Sequence, residues 1–395
     1  MARLYLLFAS VYLLEGITEI PFILNVYLKK LSFSPSQIGT ILFLGSLWFI
    51  FLKPLIGFIA DFWRKFNKRL VLTIGLLCSS MGWLVIADAQ STVAMTVGVS
   101  LKVIAIALLD VLIDGMIVTV STAKNRTFIQ SLVYGCRFGG AMLFSSWAGG
   151  KIDEGVMAFT QIYYLFSVTS LLVLIPVLIY RQEEVKRIPE KEDKTQGKTL
   201  SIEEQVPFRE KIGQLAHPSF GWLLILLFLY SFGADTTTFF EPLVQERFGG
   251  EFLGRIVSIY YVGIVIGILT IPVLRSMLSM KTLFVVSLVG WCLAEISCLG
   301  IARWNGGMIY FFGGVFNAFS SIALLTVAVS MCKKKGIETF AFAFAISVKN
   351  LMDNSNVLIG GYVMEAVGIT WLFVISSLCG LLPFLVLHKI DFKEI

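Results

Sequence analysis

The chain has 395 residues, of which 57% are hydrophobic and only 15% charged, with a formal net charge of +6. A soluble domain is nearer about 45–50% apolar and 25% charged, so there is too little polar surface here to cover a water-soluble fold. The length suits about twelve membrane crossings of roughly 20 residues each and leaves no room for a soluble catalytic domain of ordinary size.

Taken in chain order, apolar segments bounded by charges or turn residues fall at 4–28, 36–60, 70–89, 92–120, 128–149 and 159–180. The first is interrupted by Glu15 and Glu19 and runs on to Tyr27 without a small-residue cleavage site, so it reads as a crossing and not as a removable leader. A polar stretch, 182–217, alternates acids and bases and reads as a solvated tether. Its part from Glu203 to Ala216 has the alternative of an amphipathic helix on the membrane surface. Apolar segments resume at 219–245, 252–274, 282–301, 307–331, 340–364 and 369–388. The expected fold is an all-α membrane protein of twelve transmembrane helices in two pseudo-symmetric six-helix bundles, residues 1–181 and 218–395, joined by a cytoplasmic linker over 182–217.

A short internal repeat agrees with that division. Ala148-Gly149-Gly150-Lys151-Ile152-Asp153-Glu154 ends the fifth segment, and Ile359-Gly360-Gly361-Tyr362-Val363-Met364-Glu365 ends the eleventh. Each follows a mid-helix base, Arg137 and Lys349 respectively. Duplicated halves are a feature of secondary transporters.

Lys and Arg set the expected orientation. With the N-terminus inside, the cytoplasmic loops hold Arg64, Lys65, Lys68, Arg69, Lys124, Arg126, Arg275, Lys281, Lys333, Lys334 and Lys335 besides the linker bases. The opposite loops hold only Lys29, Lys30, Lys151, Arg247 and Arg303. Both termini are therefore expected in the cytoplasm of a cell with this protein in its plasma (inner) membrane. The same loops account for the net positive charge, so no nucleic-acid partner is implied. The six cysteines lie in or at the ends of apolar runs without metal-ligand spacing and read as small apolar fillers. No metal, no cofactor and a monomer in the lipid bilayer are expected.

Ionisable residues inside the apolar segments carry the functional argument. The acids are Glu15, Glu19, Asp110, Asp114, Asp235, Glu295 and Asp353, and the bases are Lys53, Lys102, Arg137 and Lys349. Each would cost about 2.5–3.5 kcal/mol facing lipid at a helix centre, so they must face one another or a watery cavity. Glu15 and Glu19, Asp110 and Asp114, and Lys349 and Asp353 are each four apart and share a helix face. Lys102 lies two turns from Asp110 on roughly the same face.

Each reading has its structural alternative. Asp110 and Asp114 form either a gating pair or a fixed network with Lys53, and Lys349 with Asp353 either binds solute or only pairs. Glu295 is expected near the headgroups in a structural role. Arg137, always charged and forked, matches a carboxylate or phosphate; its alternative is a structural partnership with Asp110 or Glu19. A buried carboxylate is the natural proton carrier, and Glu15, Glu19 and Asp235 are mid-helix acids with no adjacent base in sequence. Sodium coupling through the same groups is the alternative. No H-E-x-x-H, G-x-S-x-G or nucleotide loop is present, so a membrane-embedded enzyme is not expected.

Gly57-Phe58-Ile59-Ala60-Asp61 followed by Arg64, Lys65, Lys68 and Arg69 resembles the major facilitator superfamily signature between helices two and three, with Phe62 where a base is usual. Leu52-Lys53-Pro54-Leu55-Ile56-Gly57 through Asp61 is similar to the K-P-L-x-G-x-x-x-D of the folate–biopterin transporter family. So are Asp110-Val111-Leu112-Ile113-Asp114-Gly115, Gln130-Ser131-Leu132 through Arg137-Phe138-Gly139-Gly140, and Leu14-Glu15-Gly16 with Leu31 to Gln37, although Glu15 replaces a more usual Gln. Muropeptide permeases and acetyl-CoA transporters share parts of the pattern. The resemblance covers the first six segments. It implies a proton-linked carrier with alternating access and a solute site between the halves, with gating or coupling roles at Lys53, Asp61, Asp110 and Asp114, and with Arg137 at the site. On these grounds a polar organic anion, pterin- or folate-like, is the expected small-molecule solute. It would be bound by Arg137 and Lys349 with Glu15, Glu19, Asp235 and Lys102 nearby, and Asp353 would join the coupling or gating set. An exporter or a lipid or lysolipid flippase of the same fold is the alternative.

Overall fold

The computed structural model describes residues 2–62, 67–120, 126–180, 217–331 and 338–390. Helices occupy each of the predicted apolar stretches. In the first half they are Ala2–Thr18 with Pro21–Lys30, Pro35–Ser46 with Trp48–Phe62, Lys68–Asp88, Thr92–Val120, Arg126–Ile152, and Val156–Leu172 with Leu174–Ile179. In the second they are Pro218–Ser231 with Thr237–Phe248, Gly250–Arg275, Met280–Ser297, Gly306–Met331, and a stretch Glu338–Cys379 that is two helices divided at Gly368, where φ is +80°. Among the described residues nine helical spans are long and apolar enough to cross a membrane unaided. The fifth and seventh fall short by that measure: the fifth carries polar residues, and the seventh is interrupted between Ser231 and Thr237. The eleventh and twelfth run on as one span. The linker predicted over 182–217, except its last residue His217, and the basic loop residues Arg64, Lys65, Lys124 and Lys333 to Lys335 lie outside the described residues, as does Cys332; the other five cysteines are free.

Local signals set several of these boundaries. Ser34 caps the second crossing, accepting from the backbone of Gln37 while the Gln37 side chain returns to the Ser34 N–H, with Pro35 opening the helix. This gives a physical reason for the Ser-Pro-Ser-Gln sequence there. Asn67 and Ser279 cap the third and ninth crossings through their side chains.

The halves repeat one packing scheme. In the first, helix one lies on five, two on four, and three on four and six; in the second, seven lies on eleven, eight on ten, and nine on ten. Glu295 of the ninth helix bonds to Ser376 of the twelfth, which completes the parallel. Between halves, five packs on eight, eleven on two, and one on seven. The repeated Gly-Gly segments lie at two equivalent interfaces. Gly149 packs on Gly254, and a Cβ on Gly254 would collide with the Ser145 carbonyl oxygen; Gly361 packs on the backbone of Pro35. The acid that follows each pair caps the second helix of the opposite half: the Gly250 N–H donates to Asp153 at 2.7 Å and the Ser36 N–H donates to Glu365 at 3.2 Å. A carboxylate at a helix N-terminus meets orphan N–H groups and the positive end of the helix dipole.

Those caps lie on the face opposite the chain termini, where polar contacts between the halves collect. Lys29 pairs with Glu246 at 2.7 Å, Gln245 donates to Asp153 at 2.9 Å, and Asn25 donates to Glu241 at 3.1 Å. At mid-depth the halves also meet through Ser258 Oγ, which donates to the Met142 carbonyl at 2.8 Å, and Asn354, which donates to the Ser46 carbonyl at 3.2 Å.

Candidate functional site

Two sets of charged residues flank the middle of the molecule, one in each half. The first begins with close packing. A Cβ on Gly16 would collide with the Arg137 carbonyl oxygen, so only glycine lets the first and fifth helices touch here. That contact brings Arg137 to Glu19 at 2.8 Å, in a hydrogen-bonded ion pair, and to Glu15 at 3.4 Å. The helix break between Thr18 and Pro21 puts Glu19 just past the end of its helix. Arg137 is half-exposed, whereas Glu15 is only 2% exposed.

Among the described residues no donor gives either Glu15 oxygen a hydrogen bond, and its carboxyl faces that of Asp110. Two carboxyls can bond to each other only if one of them keeps a proton. Asp110 is held from its other side by Lys53 at 2.7 Å, and the Lys53 ammonium also lies 4.2 Å from the Phe49 ring centre. Asp114, one turn further on, accepts from the Tyr12 hydroxyl and is exposed. The sequence reading of Asp110, Asp114 and Lys53 as one neighbourhood is thus visible as a chain of contacts, with Tyr12 added. Lys102 is not part of that chain. It makes no ion pair among the described residues and lies 4.8 Å from the Trp83 ring centre, within electrostatic reach of Glu19. The side chains of Asp61, Gln130 and Ser131 lie outside the described part of the structure.

The second set surrounds a cavity of about 620 Å³ with an adjoining chamber of about 350 Å³, within the size range of small-molecule sites. The broken seventh crossing shapes it. Asp235 lies in the break and accepts from the Thr238 N–H at 3.0 Å, at the start of the half-helix Thr237–Phe248. Lys349 and Asp353 pair along the eleventh helix at 2.5 Å, as their spacing predicts, and line the chamber together. Asn356 ties its own helix to the break by accepting from the Gly233 N–H at 2.9 Å.

Two further acids belong to this site. Glu295, in the last turn of the ninth helix, is buried, receives the hydroxyls of Thr236 at 2.8 Å, Ser376 at 2.7 Å and Ser377 at 3.3 Å, and lines both chambers. Glu241 was missed altogether; it is 3% exposed, lines the cavity, and holds Asn25 of the opposite half. The signal that could have found it is a second acid, after Asp235, inside the apolar run 219–245 and just ahead of Pro242.

Aromatic residues complete the walls, with Tyr260, Tyr310, Trp291 and Phe240 prominent among them. Tyr261 joins the two sets: its ring centre is 6.2 Å from that of Phe138 in the first half, and its hydroxyl is within electrostatic reach of Arg137, Glu19 and Glu241. Of the bases expected to bind an anion, Arg137 is already paired with two acids and Lys349 with one. The described residues contain no group of three or more His, Cys, Asp or Glu able to hold a metal ion.

A family model described as Major Facilitator Superfamily matches residues 4–275. No curated protein matches the sequence. Among solved structures, the chain is similar to the nucleoside transporter NupG in its D323A form, with 17% identity over 98% of both chains and a TM-score of 0.73. It is similar to a D-xylose-proton symporter, with 13% identity over 100% of this chain and 99% of the other and a TM-score of 0.74. The inward open xylose transporter XylE from E. coli is 15% identical over 98% of this chain and 95% of its own, with a TM-score of 0.72. At these identities the likeness is one of fold.

Proposed function

Because the chain belongs to the major facilitator superfamily, we propose that it is a proton-coupled secondary transporter working by alternating access, with both termini in the cytoplasm. It is a multi-pass membrane transporter and not an enzyme. In this reading the contacts that tie the halves at the face away from the termini support an inward-facing arrangement. The concentration of Lys and Arg in the loops on one side supports placing that side in the cytoplasm.

The observation that carries proton coupling is Glu15. A buried carboxylate without a donor is costly, and taking up a proton relieves that cost. Glu15 abuts Asp110 and stands 3.4 Å from an arginine that holds Glu19 more closely. Protonating or emptying Glu15 changes how much of Arg137 is left for other partners, and Arg137 is on the helix that packs against the second half. In this reading the first half handles the proton and the cavity of the second half takes the solute.

The solute that suits this cavity brings hydrogen-bond donors and a flat ring. Among the described residues that line the cavity, an organic anion meets one base, Lys349, which is engaged by Asp353, while Arg137 is engaged by Glu19. A pterin-like ring, planar and rich in N–H groups, suits the walls better than the dicarboxylate of a folate. The nucleoside and xylose cargoes of the structural neighbours are likewise polar and uncharged or weakly charged. A lipid flippase is the weaker reading, because carboxylates line the walls.

The test is uptake into proteoliposomes of a labelled panel containing pterins, nucleosides, pentoses, aromatic amines and aromatic carboxylates, with and without an imposed pH gradient. At least one solute is expected to accumulate with the gradient and to be released when a protonophore collapses it. Identical uptake of every solute under both conditions would contradict proton coupling.

A further inference from the structure

The ninth helix puts Trp291 and Glu295 one turn apart, so they share a face, and both line the main cavity and its side chamber. Facing them are Tyr260 and Tyr310, whose rings meet edge to face at 6.4 Å. The side-chain partners of Glu295 are three hydroxyls from the seventh and twelfth helices, and no base pairs with it among the described residues. Around the two chambers the lining acids are Asp235, Glu241, Glu295 and Asp353, against the single base Lys349, which is spent on Asp353. Asp235 faces the N–H groups of a half-helix, and Glu241 is engaged by Asn25 of the opposite half away from the Trp291 face. Ser231, 4% exposed at the edge of the chamber, has a hydroxyl with no partner among the described residues.

We infer that the Trp291–Glu295 face is an organic-cation site, at which Glu295 takes the ammonium group of a solute whose ring lies among Trp291, Tyr260 and Tyr310. A buried carboxylate is paired, hydrogen-bonded or neutralised, and an ammonium beside aromatic faces gains both an ion pair and attraction to the ring electrons. Three hydroxyls orient Glu295 without cancelling its charge, which leaves a counter-charge for the solute to supply. The inference rests on the transporter reading above and narrows its solute to arylalkyl amines.

The experiment compares close isosteres. Binding of phenethylamine, 2-phenylethanol, 3-phenylpropionate, tryptamine and tryptophol to the full-length protein in lipid nanodiscs is measured by calorimetry and by thermal unfolding. The amines are expected to bind about tenfold or more tightly than the matching alcohols, with the carboxylate weakest. Glu295→Gln keeps the hydroxyl partners and is expected to erase the difference between amine and alcohol while still binding the ring. Alcohols binding as tightly as amines, binding of the carboxylate in preference, no binding by any probe, or an unchanged preference in Glu295→Gln would each overturn the inference. Because the wild-type comparison of amine with alcohol needs no variant, misfolding of Glu295→Gln would not blunt the test. Gradient-driven uptake of some other solute, with no amine preference here, would remove the cation site and leave the transporter reading standing.

Discussion

In proteoliposomes the Glu15→Gln protein is expected to equilibrate its solute but not to accumulate it. Each unit of pH gradient is worth about 1.4 kcal/mol per proton, enough for about tenfold accumulation of a solute moved with one proton. If Glu15 carries that proton, its amide cannot exchange it, and the ratio of inside to outside solute should fall to one. Exchange of labelled for unlabelled solute should continue, because the cavity of the second half is intact. The variant should also be no less stable than the parent. Glu15 is buried beside another carboxyl and receives no donor, and an amide is easier to bury there and can donate to Asp110. Retained gradient-driven accumulation in Glu15→Gln would move the proton site elsewhere, with Glu19 the next to test.

Arg137→Ala is expected to lower stability by about 3 kcal/mol, the lower end for breaking a buried ion pair from one side. The lower end applies because the Arg137 side chain is 36% exposed. What remains after the change is Glu15 and Glu19 together with no cation between them. Arg137→Lys keeps the charge but loses the fork that reaches both acids, and an intermediate loss is expected. Removing the acid as well, in Arg137→Ala with Glu19→Ala, should recover part of the loss, because one of the two unpaired charges is gone. Thermal unfolding in detergent reads all three. An unfolding temperature for Arg137→Ala equal to the parent's would mean that the pair contributes nothing and would free Arg137 for the anion-binding role that its sequence position suggests.

The parts of this architecture that were legible in the sequence are those governed by local rules. Apolar runs long enough for the bilayer give the crossings, because no other solvent allows them. Lys349 with Asp353 was legible because a four-residue spacing on a helix fixes the distance. The Gly-Gly repeat was legible as a repeat, though its purpose needed the partners: Gly254 and Pro35 lie far away in sequence and supply the surfaces it fits. Arg137 had no acid one turn away on its own helix, and so looked available; its acids come from the first helix, through a contact that only Gly16 permits. Glu295 was legible as an acid near the end of its helix, but counting residues along one helix says nothing of what other helices bring to it. Here Thr236, Ser376 and Ser377 converge on it from two of them. Glu241 was overlooked because Glu246 and Arg247 follow it closely and make the segment look finished, whereas the helix continues to Phe248. Neither cavity could be read from spacing, since both are lined by several helices at once.

The account depends most on the two halves exchanging which face is closed. Paired spin labels on a cysteine-free background, at Ser91 and Trp304 on the face away from the termini and at Leu70 and Met277 on the terminal face, give both gaps by electron–electron resonance in lipid. All four positions are exposed. A second population is predicted in which the Ser91–Trp304 distance lengthens as the Leu70–Met277 distance shortens, with the balance between populations moving when solute or pH is changed. A single fixed distance at each face under every condition, or both distances lengthening together, would contradict alternating access for this protein.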